Sequence, residues 1–107
     1  MRNFLFISFL CISLSACSSH YGAAYITSNP PGAQVINLDD GTTLGVTPLT
    51  RWWKDSSNNN QHIALRFKRD GYYEKVDSFW LSMRHSSIEE ATQNTTHVEV
   101  NLQQKGQ

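Results

Sequence analysis

Apolar and polar side chains alternate along two segments of the chain, and this alternation constrains the fold more than any other feature. In both segments, 62–68 and 97–103, every second residue is large and apolar. Successive side chains of a β-strand point to opposite faces, so a period of two indicates a strand with one face in a core. The residues predicted to face inward are Ile63, Leu65, Phe67, Val98, Val100 and Leu102.

Shorter extended segments, separated by turn residues, precede and follow the first of these strands. The pattern predicts strands over 25–27, 33–38, 42–46 and 72–81, and no long stretch has a helical period. The chain of 107 residues is long enough for one core but too short for two ordinary domains. We therefore predict an all-β fold, a small antiparallel β-sandwich.

The turns between these strands have recognisable chemistry. Asn29-Pro30-Pro31-Gly32 should end the first strand, because proline cannot donate to a ladder and glycine accepts positive φ. Asp39-Asp40-Gly41 suits a two-residue hairpin turn with both central residues at positive φ. Asp70-Gly71 predicts a further turn.

Two segments interrupt the β pattern. The polar segment 55–61 contains three consecutive asparagines and is typical of a mobile surface loop. In segment 82–96, Ser87 and Glu90 have the spacing of a capping box, which favours a short helix over 88–93. An isolated helix that short is marginal in water, so loop and helix remain equal alternatives there.

The amino terminus has the organisation of a targeting segment. Arg2 supplies a positive charge, and an apolar run broken only by serines follows over 4–14. The run is shorter than the ~20 apolar residues that a membrane-spanning helix needs. Residues 1–16 are therefore predicted to be a signal peptide rather than a permanent span.

The apolar run ends in Leu14-Ser15-Ala16-Cys17, which resembles the lipobox of bacterial lipoproteins. The resemblance implies cleavage before Cys17 and attachment of diacylglycerol to its thiol, with the membrane as partner. The other cysteine, Cys11, lies inside the signal peptide and would leave no disulfide partner in the mature chain. The alternative is an ordinary secretory signal in which Cys17 is incidental.

The residues after the cysteine suggest a location and a short tether. Ser18 stands where aspartate would signal retention in the inner membrane, so the resemblance implies an outer-membrane lipoprotein facing the periplasm. Segment 17–23 is small and polar, which predicts a flexible tether. The folded domain is then expected over 24–104.

Several motifs in segment 25–72 resemble the PEGA domain. They are Pro31-Gly32-Ala33, a hairpin glycine at Gly41, Gly45-Val46-Thr47-Pro48-Leu49, and Gly71-Tyr72, in that order. The resemblance implies a small β-sandwich module of bacterial and archaeal surface proteins, without catalytic residues to carry over. The chain departs from the pattern at Pro30-Pro31, where Pro-Glu is usual, and over 52–61, which replaces a shorter turn.

Little in the chain predicts catalysis, metal binding or nucleic-acid binding. The formal net charge is zero, which gives no electrostatic reason for a nucleic-acid partner. No phosphate loop or nucleophile elbow is present. The adjacent Asp39 and Asp40 are explained by turn chemistry. We therefore expect a protein that is not an enzyme and needs no metal or cofactor.

The histidines give no metal-binding pattern either. None of the four has a spacing that places two ligands on one metal, so they are interpreted as solvated surface residues. They are His20, His62, His85 and His97.

Three aromatic doublets, Trp52-Trp53, Tyr72-Tyr73 and Phe79-Trp80, are the unusual feature of the domain. In an extended chain each doublet puts one ring inward and one outward, and an outward ring can stack on a sugar or anchor a protein interface. The alternative is that other elements cover these rings as part of the core. The candidate binding residues are Trp52, Trp53, Asn58, Asn59, Asn60, Tyr72, Tyr73 and Trp80.

These observations favour a lipid-anchored, non-enzymatic interaction module of the bacterial envelope. Its partner is expected to be an envelope protein in a membrane assembly or a cell-wall glycan. Two alternatives remain open, a structural lipoprotein without a dedicated ligand and an accessory or inhibitor of an envelope enzyme.

Overall fold

A computed structural model describes residues 19–106 of the chain and has seven strands and one short helix in that range. In chain order they are β1 (His20–Asn29), β2 (Gln34–Asn37), β3 (Thr43–Val46), β4 (Leu49–Asp55), β5 (Gln61–Lys68), β6 (Lys75–Leu81), α1 (Ile88–Gln93) and β7 (Thr96–Asn101). The first sheet has three strands in the order β4-β1-β7, and the second has four in the order β3-β2-β5-β6. The predicted all-β sandwich is confirmed.

One strand pairing differs from the antiparallel expectation. β1 runs antiparallel to β4 but parallel to β7, with Ile26 opposite Val98. The chain leaves β6, pairs His85 with Tyr21 at the start of β1, and passes through α1 before it enters β7. Because it arrives at the beginning of β1, β7 must run in the same direction as β1.

The core lies between the two sheets and contains the inward positions that the alternation predicted. Ile63, Leu65 and Phe67 on β5 are buried, while Arg66 and Lys68 between and after them are exposed. Val98 and Val100 on β7 are also buried. The same cluster includes Ala24, Ile26, Ala33, Val35, Leu81 and Met83, with Leu102 packed against it. Burial of this apolar surface is the main force that holds the sheets together.

Thr47 joins the corner where the chain passes from the second sheet to the first. Its Oγ1 accepts hydrogen bonds from the backbone N–H groups of Gly32 and Ala33, at 3.1 and 2.9 Å, and lies 2.6 Å from Ser28 Oγ. These bonds fasten the Pro-Pro-Gly turn, in which Gly32 has φ +96°, to the Thr-Pro turn. The Asn29–Pro30 and Thr47–Pro48 peptide bonds are cis.

The β2–β3 hairpin was predicted correctly, but its turn was not. The strands are separated by five residues, 38–42, and Gly41, with φ +76°, is the only one of them at positive φ. Side chains close this longer turn, since Asn37 Oδ1 accepts from Asp39 N–H and Asp40 Oδ1 accepts from Thr42 N–H. These local bonds favour the wider turn over the two-residue form.

The first strand begins earlier than the sequence suggested. Residues 20–23, which were assigned to a flexible tether, belong to β1, and Ala23 is buried. A Cβ atom on Gly22 would collide with the carbonyl oxygen of Ser82 and approach Met83 Sδ. The small residues here therefore permit close packing, a requirement that composition alone does not distinguish from a tether.

The segment 82–96 contains the helix rather than a loop. Ser87 is the N-cap of α1 and its side chain accepts from Glu90 N–H at 3.1 Å, as the capping box predicted. The helix packs against β1 and β4 and buries Ala91. Over residues 19–106, no helix has the length and apolar character needed to cross a bilayer.

The surface assignment of the histidines is wrong for His85, which is only 4% exposed. Its backbone exchanges two hydrogen bonds with Tyr21, which extends the first sheet and brings the side chain under α1. Its Nδ1–H then donates to Glu90 Oε2 at 3.1 Å. His62 and His97 are exposed as expected, and His20 is half-buried.

Candidate functional site

A cleft of about 390 Å³ opens on one side of the sandwich. β3 and β4 are outer strands of different sheets and are consecutive in sequence, so the corner at Thr47 brings their free edges to the same side. The walls of the cleft are β4 and the β2–β3 hairpin, and the start of β5 contributes to its lining. Its volume is in the range of sites that bind small molecules or parts of larger partners.

The apolar part of the cleft is built around Trp53. This residue lies opposite Gly22 on the core side of β4, and its half-buried ring packs against the core cluster while lining the cleft. Leu44, Ile63 and Met83 line the cleft as well. The opposing glycine has no side chain that would cover the Trp53 ring on that strand.

The polar part of the cleft carries both signs of charge. Arg51 and Lys54 of β4 line the same cleft as Asp39 and Asp40 of the hairpin, and Asp55 lies at the end of β4. The ion pairs found in residues 19–106 are formed by Glu74 and Glu90 with partners outside the cleft, so the cleft charges are not paired with each other. Arg51 and Lys54 are available to a ligand, whereas Asp40 and Asp55 also accept hydrogen bonds from Thr42 and Gln61.

Some of these polar groups are already held in place. Gln61 Nε2 donates to Asp55 Oδ2 at 2.6 Å, which joins the two ends of the loop 56–60. Hydrogen bonds from the backbone and side chain of Thr42 lower the pKa of the Asp40 carboxyl from its ordinary value of 3.8. Asp40 therefore stays ionised to lower pH than a free aspartate.

The aromatic doublets alternate between the two faces as predicted. The outward rings are Trp52, 44% exposed, Tyr73, 53% exposed, and Trp80, 65% exposed. Their neighbours Trp53, Tyr72 and Phe79 are half-buried. For Trp52-Trp53 on β4 and Phe79-Trp80 on β6, this alternation follows from strand geometry, because successive side chains point to opposite faces.

The predicted binding residues do not form one surface. Trp52 and Trp53 both line the cleft, and the exposed asparagines Asn58, Asn59 and Asn60 follow β4 in the adjoining loop. Trp80 lies on the outer face of the second sheet, with its ring centroid 4.9 Å from that of His62.

The tyrosine doublet occupies a different part of the molecule. Tyr72 bridges to Gln104, and its ring lies under the Arg69 guanidinium at 5.2 Å. Tyr73 donates its backbone N–H to Gln103, and Lys105 Nζ is 5.8 Å from its ring centroid. These contacts fasten the carboxyl-terminal segment to the turn before β6, so Tyr72 and Tyr73 lie apart from the cleft.

The expectation that Trp52 and Trp53 belong to an enlarged loop is wrong, because both are in β4. No strand was predicted over 49–55, since the exposed positions of this segment mix an aromatic ring with charged groups. Reasoning from sequence also missed Arg51, Asp39 and Leu44 as lining residues. The run of residues after Pro48 that no turn residue interrupts was the pattern that could have predicted the strand.

The cleft has the chemistry of a binding site. It offers one indole surface with donors and acceptors of both charges around it, and such a combination orients a ligand while burying part of its apolar surface. Within the part of the chain that is described, no three histidine, cysteine, aspartate or glutamate side chains are grouped to hold a metal ion.

The predicted lipidation residue, Cys17, and the signal peptide lie outside the described residues. Their assignments, like the resemblance to the PEGA domain, stay predictions from sequence. No family model, curated protein or solved structure matches the chain.

Proposed function

We propose that the protein is a lipid-anchored, non-enzymatic interaction module of the bacterial envelope, which docks onto a partner through the cleft around Trp53. The single observation that carries this proposal is the cleft itself. A half-buried indole surface beside charges of both signs that form no ion pair with one another is well suited to a partner that supplies complementary groups.

The anchor supports a location in the outer membrane, with the domain facing the periplasm. The Leu14-Ser15-Ala16-Cys17 motif would place two or three acyl chains on Cys17. Each buried methylene contributes about 0.8 kcal/mol, and more than one chain gives stable anchoring. The module would therefore meet membrane assemblies and the cell-wall polymer, and would not diffuse to soluble partners.

The partner is an envelope protein or a glycan. Trp53 and Trp52 can stack on a sugar ring or anchor a protein side chain, and the amide and carboxyl groups of Asn37, Gln61 and Asp39 bind hydroxyl or backbone groups. No arrangement described above activates a nucleophile, so the proposal is one of binding rather than turnover.

A charge reversal at the cleft rim tests the proposal. Arg51 is exposed, so Arg51→Glu should leave the melting temperature close to that of the wild type, as surface substitutions usually do. It should remove partners that co-purify with the wild-type protein from detergent-solubilised membranes. The control is Arg66→Glu, an exposed reversal on the outer face of the second sheet that removes only the surface ion pair with Glu74 and should retain them.

Retention of every partner by a stable Arg51→Glu variant would show that the cleft is not the docking surface. A wild-type protein that recovers no partner under conditions that preserve its anchor would instead favour a structural lipoprotein without a dedicated ligand. An enzyme recovered with the wild type would favour the accessory or inhibitor function.

A further inference from the structure

The two sheets end together at one end of the sandwich. His20, the first residue of β1, lies opposite Asp55, the last residue of β4, and Gln61, the first residue of β5, lies opposite Leu81, the last residue of β6. The loop 56–60 joins the two sheets there. We refer to the strand ends at His20, Asp55, Gln61 and Leu81, with this loop, as the anchor-proximal end.

The name follows from the distance to the proposed lipidation site. Three residue steps separate Cys17 from His20. An extended chain spans at most ~3.6 Å per residue, so these steps reach no more than about 11 Å. A lipidated Cys17 therefore holds this end of the sandwich against the bilayer, and residues 20–23, being part of β1, add no flexible length.

Exposed tryptophan is concentrated in the half of the sandwich next to this end. Trp80 is the penultimate residue of β6, opposite His62, and it is the most exposed large apolar side chain of the described residues. Trp52 lies on the outer face of the other sheet, three positions in from His20 along β1. Tyr73 precedes β6 and therefore lies at the opposite end, about 20 Å away along that strand.

Cations and a further aromatic ring accompany these tryptophans. Lys54 and Arg84 are exposed at the same end, and the Tyr21 ring contacts the Trp52 ring edge to face at 6.1 Å. The nearby carboxylates of Asp55 and Glu90 already accept hydrogen bonds from Gln61 and His85. Exposed indoles beside lysine and arginine are the side chains that prefer the headgroup region of a bilayer.

We infer that the anchor-proximal end rests on the lipid surface, with Trp80 and the loop 56–60 in the headgroup region and Trp52 higher on the opposite flank. The inference rests on the proposed lipidation of Cys17 and adds a second, non-covalent contact that fixes the orientation of the domain. The cleft then opens sideways, close above the membrane. Its partner is met at the membrane surface.

Fluorescence quenching by lipid tests this orientation in the full lipidated protein. The protein is reconstituted in phosphatidylcholine vesicles with brominated acyl chains, and each variant keeps one tryptophan while the others are changed to phenylalanine. The chain with only Trp80 should show a blue-shifted emission and the largest loss of intensity, and the chain with only Trp52 a smaller loss. The control for the opposite end of the sandwich carries Tyr73→Trp as its only tryptophan. Its fluorescence intensity should not fall.

A single substitution tests the same contact without the risk that several tryptophan replacements unfold the domain. Trp80→Phe alone, an exposed substitution, should remove most of the quenchable emission of the otherwise wild-type protein. Because exposed Lys54 and Arg84 lie at the same end, adding phosphatidylglycerol to the vesicles should not reduce the quenching.

Vesicle flotation separates this inference from the proposed anchor. A protein that floats with the vesicles while its Trp80 emission is unquenched keeps the anchor and overturns the surface contact. Equal quenching of Trp80 and the Tyr73→Trp control overturns it too, since the domain would then have no fixed orientation. A protein that does not float overturns both the anchor and the contact.

Discussion

Thr47 shows how one hydroxyl group connects distant parts of this sequence. Its Oγ1 accepts hydrogen bonds from the backbone N–H groups of exposed Gly32 and buried Ala33, and it contacts the Oγ of buried Ser28. Two motifs that are separated in sequence, Pro31-Gly32-Ala33 and Thr47-Pro48, are therefore one structural unit. Without the hydroxyl, the buried Ala33 N–H would lose its acceptor, whereas the Gly32 N–H would keep the Thr47 carbonyl oxygen at 3.1 Å.

Thr47→Val should therefore destabilise the domain by about 1–3 kcal/mol, because it keeps the shape of the side chain but removes the acceptor. Urea unfolding monitored by circular dichroism measures the change in midpoint. Thr50→Val, the same substitution at an exposed position of β4, is the matched control and should have little effect. Equal midpoints for the two variants would show that the hydroxyl is dispensable.

Phe67 is the largest fully buried side chain of the core. Phe67→Ala should cost about 3–5 kcal/mol, from lost burial and the cavity left behind. The free energy of unfolding of a domain of this size is small, so the variant should melt at a much lower temperature than the wild type. Arg66→Ala, on the neighbouring exposed position, is the control. An unchanged melting temperature for Phe67→Ala would contradict the assigned register of β5.

At the scale of elements, local patterns predicted some strands and failed for others. β5 and β7 were evident because each has one face wholly in the core, which produces a period of two. β4 was missed because it is an edge strand beside the cleft, where charged and aromatic residues replace a simple alternation. The start of β1 was missed because its small residues serve close packing against residues 81–83.

The helix was predictable because its start is specified locally. The capping box of Ser87 and Glu90 lies within one turn of chain, whereas the contact that makes so short a helix stable is the distant packing of α1 on β1 and β4. Sequence therefore identified the helix as one of two alternatives. It did not predict that His85 would be buried beneath it.

The bond between His85 and Glu90 gives α1 a pH dependence. Hydrogen bonds from the side chains of His85 and Ser86 lower the pKa of the Glu90 carboxyl from its ordinary value of 4.5. A carboxyl whose pKa is lower in the folded state stabilises the fold above its unfolded pKa, and this contribution is lost as pH falls through the folded pKa. The loss therefore begins below about pH 4.5.

Glu90→Gln should melt at a lower temperature than the wild type at pH 7, and the difference should shrink as the pH is lowered below about 4.5. Melting temperatures of both proteins across this range measure it. Glu89→Gln, an exposed neighbour on the same helix, is the charge-matched control. A gap between Glu90→Gln and the wild type that is constant with pH would exclude the ionised Glu90 carboxylate as its source.

At the scale of the whole molecule, the cleft was beyond what sequence reasoning can supply. Trp53 was named because it belongs to a doublet, but its partners Asp39 and Leu44 come from the β2–β3 hairpin, which only the corner at Thr47 brings alongside β4. Trp80 was grouped with Trp53 because both are aromatic, yet it lies on the outer face of the other sheet. Assembly of a site from two sheet edges depends on contacts that no local pattern encodes.

The proposed anchor concerns the molecule as a whole, because it determines which surfaces are accessible. Cys17→Ser should abolish incorporation of a fatty-acid analogue and release the protein from the membrane fraction, since the mature chain has no other thiol for the thioether. Metabolic labelling and fractionation measure both effects.

The matched control for this prediction is Cys11→Ser. It should remain labelled and membrane-bound, because residue 11 is removed with the signal peptide in the proposed processing. The folded domain begins at β1, after the cysteine, so material recovered from the Cys17→Ser variant should melt at the same temperature as the delipidated wild-type domain. Persistent label on Cys17→Ser would show that lipid is attached elsewhere. The orientation that was inferred from the distance between Cys17 and His20 would then be wrong.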